Sequence, residues 1–298
     1  MSAIDDLQSA ITKVATAVGP SVVGIGSQLR GSGVVVADGK VLTNAHNVRG
    51  DEVTIAFAGG KTIKGRVAGI DLDGDLAVIN VDTAGAKALA WGDGSAVVPG
   101  TIVFGAAAAP DGATRVTFGT VSAVARAFRG PGGRRIAGSV EHTAPLAPGS
   151  SGGPIVDAAG KLLGINTNRL GEGFYLALPA DSALRERIDA LGRGESVSRP
   201  RLGVAVAPSH VAQRLRASVG LPEREGLLVR GVEDGSPAAK AGIQEGDLIV
   251  EAAGKAVTDA DELFEALASA KTPYQVKIVR GTEERTVSVG GTTAAGEA

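Results

Sequence analysis

Twelve short runs rich in valine, isoleucine and threonine occupy residues 22–178, punctuated by glycine, aspartate and asparagine. This punctuation constrains the fold more than any other feature. Extended runs separated by turn residues pair with their neighbours as antiparallel strands, without the long crossovers that parallel strands need. The first six are Val22–Ile25, Gly33–Ala37, Val41–Thr43, Glu52–Phe57, Thr62–Ile70 and Leu76–Val81. The second six are Thr101–Gly105, Thr114–Ala125, Ser139–Thr143, Pro154–Val156, Leu162–Thr167 and Phe174–Leu178. Asp38-Gly39 is a two-residue hairpin signal between two of them. Two sets of six predict two antiparallel barrels packed together, and the 44 glycines suit so many tight turns.

Other segments flank the strands. Ile4, Leu7, Ile11, Val14 and Val18 recur at helical spacing, so residues 4–18 are expected to be a helix ended by Gly19-Pro20. Residues 181–191 predict a second helix, closed by Gly192. The polar stretch 192–200 (GRGESVSRP) is the expected linker, dividing a unit over 1–191 from a smaller one over 201–290. The smaller unit has strands near 203–207, 226–230, 247–252, 275–280 and 285–289. Its one clear helix, 260–270, opens with Asp259 and Glu262 at capping-box spacing. Residues 291–298 are the expected disordered tail.

Composition excludes several functions. Net charge is −2, from 30 basic and 32 acidic side chains, which gives no general pull toward nucleic acid or anionic membranes. With no cysteine there is no disulfide, thiolate site or cysteine nucleophile. Neither metal-ligand spacing nor a phosphate-binding glycine loop occurs, so no metal and no cofactor is expected. The opening residues lack a basic, then apolar, leader. The sequence as it stands is therefore expected to be cytoplasmic, or periplasmic or otherwise extracytoplasmic if a leader or anchor has been removed.

The strongest chemical signal is GSSGGP at 149–154. It reads either as a glycine-rich turn or as a reactive serine whose glycines let backbone N–H groups converge on a developing oxyanion. A G-x-S-x-G nucleophile elbow needs a helix after the serine and a histidine downstream of it. Here Pro154-Ile155-Val156 reads as a strand, and the only downstream histidine is His210, in the smaller unit. The opposite order is present: His46 in VLTNAHNV, Asp75 in DLDGDLAVINV, then Ser151. A serine hydroxyl needs a base, imidazole can take and return its proton, and a buried carboxylate fixes the imidazole tautomer. His142 and His210 lie outside any such context and read as structural or surface residues. Arg126, Arg129, Arg134 and Arg135 flank GPGG and read as a solvated hairpin tip.

TNAHNV, GDLAVINV, APGSSGGPIVD, GTVSAVAR and KLLGINT together resemble the trypsin-like peptidases of the HtrA (high-temperature-requirement) family. GSPAAKAGIQEGDLIVEAAGKAV at 235–257 resembles the core of a PDZ domain. The resemblance implies a mainly β architecture, with a trypsin-like double six-stranded barrel followed by a small α+β PDZ domain. It implies Ser151 as nucleophile, His46 as general base and acid, Asp75 as its orienter, and the N–H groups of Gly149 and Ser151 as the oxyanion hole. Pro145 and Asn166 would belong to the specificity pocket, with 168–172 as a loop beside it. Nothing charged is expected in that pocket, which implies a preference for small or aliphatic side chains. Segment 126–138 would be a regulatory loop. Leu202, Gly203 and Val204, following Arg201, would bind a peptide C-terminus, with Leu263 and Leu267 lining the side-chain pocket. Implied partners are unfolded polypeptides, the C-termini of peptides or proteins, and further copies of the same protein as a trimer, although the first aromatic residue is Phe57. Two further families of function stay open: a non-enzymatic holdase or PDZ scaffold with a latched site, and an esterase. The sequence also departs from the family pattern at Ser150, where asparagine is usual, and at Asn47, where an apolar residue is common.

Overall fold

The computed structural model describes residues 2–130, 135–171, 173–195, 202–268 and 270–290. The protein divides into two compact units, Met1–Val197 and Ser198–Ala298. Linker residues 196–200, Arg201, Arg134 and the tail 291–298 lie outside the described residues.

The first unit opens with helix α1 (Ala3–Val18), whose Ser2 cap and Asp5 form a reciprocal capping box. Strands β1 (Val22–Ile25), β2 (Gly31–Ala37), β3 (Lys40–Thr43), β4 (Glu52–Ala56), β5 (Thr62–Asp71) and β6 (Leu76–Asn80) follow. They close a barrel in the order β1-β2-β3-β6-β5-β4. Strands β7 (Ile102–Ala108), β8 (Thr114–Arg129), β9 (Arg135–His142), β10 (Pro154–Val156), β11 (Leu162–Gly171) and β12 (Phe174–Pro179) close a second, in the order β10-β11-β12-β9-β8-β7. Helix α2 (Ser182–Gly192) ends the unit.

Period two explains why these strands are apolar on both faces. Val23, Ile25, Val35, Val41, Ile55 and Ile79 fill the first barrel. Their neighbours Val22, Val34, Leu42 and Val78 point outward, into a shared layer with Phe104, Val156, Leu162 and Ile165 of the second barrel. Val14 and Val18 of α1 and Leu184, Ile188 and Leu191 of α2 join that layer. Burial of each such residue stabilises the fold by about 1.5–3 kcal/mol. The two barrels are therefore joined by as strong a core as fills either one.

Several boundaries differ from expectation. Helix α2 runs through Gly192 and is capped at Arg193; the left-handed glycine is Gly194, φ +85°. The described parts of segment 126–138 are hairpin, because β8 continues four residues past Ala125. Phe128 pairs with Ile136, and both are buried in the inter-barrel layer.

The second unit comprises β13 (Val204–Ala207), α3 (Ser209–Ser218), β14 (Leu227–Val232), α4 (Pro237–Lys240), β15 (Leu248–Ala252), β16 (Lys255–Ala256), α5 (Ala260–Ala268), β17 (Tyr274–Arg280) and β18 (Glu283–Val289). Its sheet runs β13-β14-β15-β17-β18, with β16 beside β15 and β13 at one edge. Helix α3 has no strong apolar stripe. It is anchored by buried Ala212 and by buried Arg216, whose guanidinium donates to the carbonyls of Pro222 (3.3 Å) and Gly281 (3.2 Å). Only half of the expected capping box forms at α5. Asp259 accepts the Glu262 N–H at 2.9 Å, but the Glu262 carboxylate turns to the Thr258 N–H and hydroxyl.

Candidate active site

Strand β3 leads into a tight 3-10 turn, Ala45–Asn47, that carries His46. The β5–β6 connection carries Asp75. Asp71 closes that turn by accepting the Gly74 N–H at 2.9 Å, and Asp71 itself meets Arg187 at 3.5 Å. Asp75 then adopts φ +54°, an unfavourable backbone conformation for a side-chain-bearing residue. Hydrogen bonds hold it there. Its carbonyl accepts from Asn44 Nδ2 at 2.9 Å. Its carboxylate, 1% exposed, accepts from the His46 N–H at 3.1 Å and lies 2.9 Å from His46 Nδ1 through both oxygens. Asp75 Oδ2 also accepts from Thr167 Oγ1 at 2.8 Å. A carboxylate can only accept here, so Nδ1 carries the proton and Nε2 is the basic nitrogen.

Ser151 sits in the loop between β9 and β10. Its hydroxyl donates to the Thr167 carbonyl at 3.1 Å, and no hydrogen bond joins it to His46 in this resting arrangement. Thr167, at the curl of β11, thus ties Ser151 and Asp75 together: its carbonyl takes the serine, its hydroxyl the aspartate. Nothing local in the sequence marks Thr167 for this. The bond that catalysis would add is one from the serine hydroxyl to the imidazole. Such bonds commonly form only when substrate is bound.

The first barrel grips the serine loop by its carbonyls. Ser151 O accepts from the Ser32 N–H (2.8 Å) and Asn47 Nδ2 (2.9 Å), and Gly149 O accepts from Ser32 Oγ (2.8 Å). Gly149 needs its φ of +85° for this path. The N–H groups of Gly149 and Ser151 donate to no acceptor among the described residues. Gly152 has no room for a larger residue, because a Cβ there would lie 2.1 Å from Ser32 O. Asn47 is buried, and its Nδ2 also donates to Thr43 Oγ1 at 3.0 Å. Asn47→Val removes both bonds and leaves buried acceptors with fewer donors. It is expected to cost about 1–3 kcal/mol, measured as a lowered thermal unfolding midpoint; an unchanged midpoint would refute the grip.

Beside Ser151 is a cavity of about 280 Å³ lined by Ser150, Asn166, Thr167, Asn168, Arg169 and Tyr175, among others. Asn166 lines this cavity, and two features stand otherwise than expected. Pro145 is exposed and lines a neighbouring cavity of about 360 Å³ with Arg115 and Thr117. The pocket is not free of charge, because β11 runs on to Gly171 and carries Arg169 alongside it, 5.8 Å from the Tyr175 ring centroid.

His142 is buried behind Asn166. Its Nε2 lies 2.9 Å from Asn166 Oδ1, its ring stacks on Tyr175, and its Nδ1 has no partner among the described residues. Burial holds its pKa below the usual histidine range, partly offset by the Asn166 bond. The native state resists a proton that the unfolded polypeptide accepts. Stability is therefore fully present above the unfolded value, about 6.5, and falls as pH drops below it toward the lower native value. Denaturant unfolding from pH 8 to pH 5 should show this decline, and it should shrink in His142→Gln. His210, by contrast, is exposed at the start of α3.

In the smaller unit, Gly203 has φ +78°. The N–H groups of Leu202 and Gly203 donate to no acceptor among the described residues. Val204 opens edge strand β13. Leu202, Leu263 and Leu267 are all buried in that unit's core, with Val204 packed against them. The two leucines of α5 are thus anchored in that core.

Comparison with known proteins agrees with this architecture. The trypsin-like peptidase domain family matches residues 31–165, and the PDZ domain family matches residues 228–280. A "probable periplasmic serine endoprotease DegP-like" of Halomonas elongata is 32% identical over 269 residues, covering 87% of this chain and 55% of its own length. The "putative serine protease HhoB" of Synechocystis is 32% identical, covering 87% of this chain and 65% of its own. The chain thus spans less than two thirds of these relatives' length. Among solved structures, the serine endoprotease from Yersinia pestis superposes with a TM-score of 0.64 at 25% identity, covering 94% of this chain and 96% of that one. The HtrA-type protease AlgW with a decapeptide gives a TM-score of 0.67 at 24% identity over 94% of this chain and 97% of that one, a likeness of fold. With a double barrel before a PDZ domain, and relatives alike across both, the chain belongs to the HtrA family of trypsin-like peptidases.

Proposed function

We propose that this protein is an ATP-independent serine endopeptidase acting on unfolded or damaged polypeptide. The observation that carries it is the Asp75 carboxylate, which grips the Nδ1 side of His46 while Thr167 couples it to Ser151. Ser151 Oγ attacks the scissile carbonyl carbon as His46 Nε2 takes its proton. The carbonyl oxygen becomes an oxyanion and accepts from the Gly149 and Ser151 N–H groups. The intermediate collapses, the C–N bond breaks, and His46 gives its proton to the departing amine. Water, deprotonated by His46, then hydrolyses the acyl ester on Ser151.

The PDZ domain would bind peptide C-termini. A polypeptide end added beside edge strand β13 would bring its carboxylate to the N–H groups at Leu202–Val204. The HtrA-type protease AlgW with a tripeptide, 27% identical to this chain, supports peptide binding as such. Buried Leu263 and Leu267 would support the groove from beneath. The relatives named periplasmic support an extracytoplasmic location, and nothing supports the cytoplasmic one. No described helix is long and apolar enough to cross a membrane.

The test is digestion of unfolded casein, paired with treatment by a serine-reactive aryl phosphonate and peptide mapping. Fragments together with a single adduct on Ser151 are expected. An adduct elsewhere, or none, with intact casein would reject the peptidase reading.

A further inference from the structure

The cavity beside Ser151 is rich in hydrogen-bond donors and contains no carboxylate among its lining residues. Arg169 lines it, and its guanidinium has no acidic partner among the described residues. Tyr175 lies beneath the guanidinium, and the Tyr175 hydroxyl donates to the Leu146 carbonyl at 3.3 Å. Ser150, 4% exposed, also lines the cavity, and its hydroxyl has no hydrogen-bond partner among the described residues. Asn166 contributes a third donor group. Its Oδ1 is occupied by His142 Nε2, which orients the amide. Of its two N–H bonds one reaches Pro154 O, at 3.4 Å, and the other has no acceptor among the described residues.

We propose that this pocket selects an acidic side chain at the residue whose carbonyl Ser151 attacks. This rests on the peptidase reading above and names its substrate class. A carboxylate is acceptor-only and would take donors from Arg169, Ser150 and Asn166 at once. An aliphatic group would leave three donor groups covered and unpaired. A lysine or arginine would add a cation beside Arg169. The short side chain of Ser150 matters as well, because an asparagine there would bring its own carbonyl acceptor to the same donors.

The experiment uses five fluorogenic peptides that differ only at the cleaved residue: glutamate, aspartate, glutamine, valine and lysine. Glutamate or aspartate should lead, with kcat/KM for glutamate over glutamine on the order of tenfold at low ionic strength. The ratio should narrow in high salt, because Arg169 is exposed. Arg169→Gln should bring the glutamate-to-glutamine ratio to near unity, and Arg169→Lys should keep most of it. Both substrates meet the same enzyme, so partial misfolding of a variant cancels in the ratio. Valine as the best substrate, or an Arg169→Gln ratio equal to wild type, overturns the proposal and leaves the peptidase reading standing. Failure to cleave all five, with no phosphonate adduct on Ser151, rejects the peptidase reading instead.

Discussion

Ser151→Ala is expected to lower kcat by about 10⁶-fold, the scale found when the nucleophile is removed from a comparable serine protease. The fold should survive almost unchanged. The side-chain oxygen makes a single hydrogen bond, to the Thr167 carbonyl, whereas the backbone carbonyl that positions the loop stays bound to Ser32 and Asn47. Catalysis left in the variant would come from the oxyanion donors and substrate binding, roughly 10³–10⁴-fold over water. Initial rates on a fluorogenic peptide, beside thermal unfolding of both proteins, decide the matter. A loss below about 100-fold would be far smaller than nucleophile removal costs, and would mean that another group attacks the substrate.

Asp75→Asn should reduce kcat by about 10⁴-fold, as tautomer reversal does in an equivalent triad. The carboxylate now faces three donors: the His46 N–H, His46 Nδ1 and the Thr167 hydroxyl. An asparagine can keep its oxygen on the His46 N–H and turn its NH₂ toward the ring. Nδ1 must then accept, the proton moves to Nε2, and the imidazole can no longer take the serine proton. The Thr167 hydroxyl can reverse and accept from the same amide, so no buried group is abandoned. The φ of +54° is also tolerated, since asparagine is among the residues that visit this region. The variant should therefore unfold near the wild-type temperature while its kcat collapses. Activity within tenfold of wild type would show that Asp75 does not set the tautomer.

The barrels are legible in the sequence because period-two patterning and turn residues act over a few residues at a time. Strand β6 begins at Leu76, as the LAVINV run indicates, and His46 and Asp75 flank β3 and β6 as their motifs suggest. The features that are not legible depend on distant partners. Ser32 and Asn47 act on a loop more than 100 positions away, and the only trace of this in the sequence is that Asn47 replaces an apolar residue. Segment 168–172 is expected beside the pocket as a loop, but its described part is an extension of β11, and the charge that Arg169 brings to the cavity is unexpected. Helix α3 leaves no periodic signal because a buried arginine, rather than an apolar stripe, secures it. Pro145 shows the converse failure: closeness to Ser151 in sequence does not bring it into the same cavity.

The hold of the first barrel on the serine loop has a consequence for how such a protein is made. His46 and Asp75 belong to one barrel and can meet as soon as it closes. The serine loop belongs to the other, and the bonds that shape it come from Ser32 and Asn47 across the seam. On the peptidase reading, proteolytic competence would then require both barrels to be closed and docked. A copy with only the first barrel closed would hold His46 against Asp75 and still lack a shaped serine loop, so it would be expected not to cut its siblings.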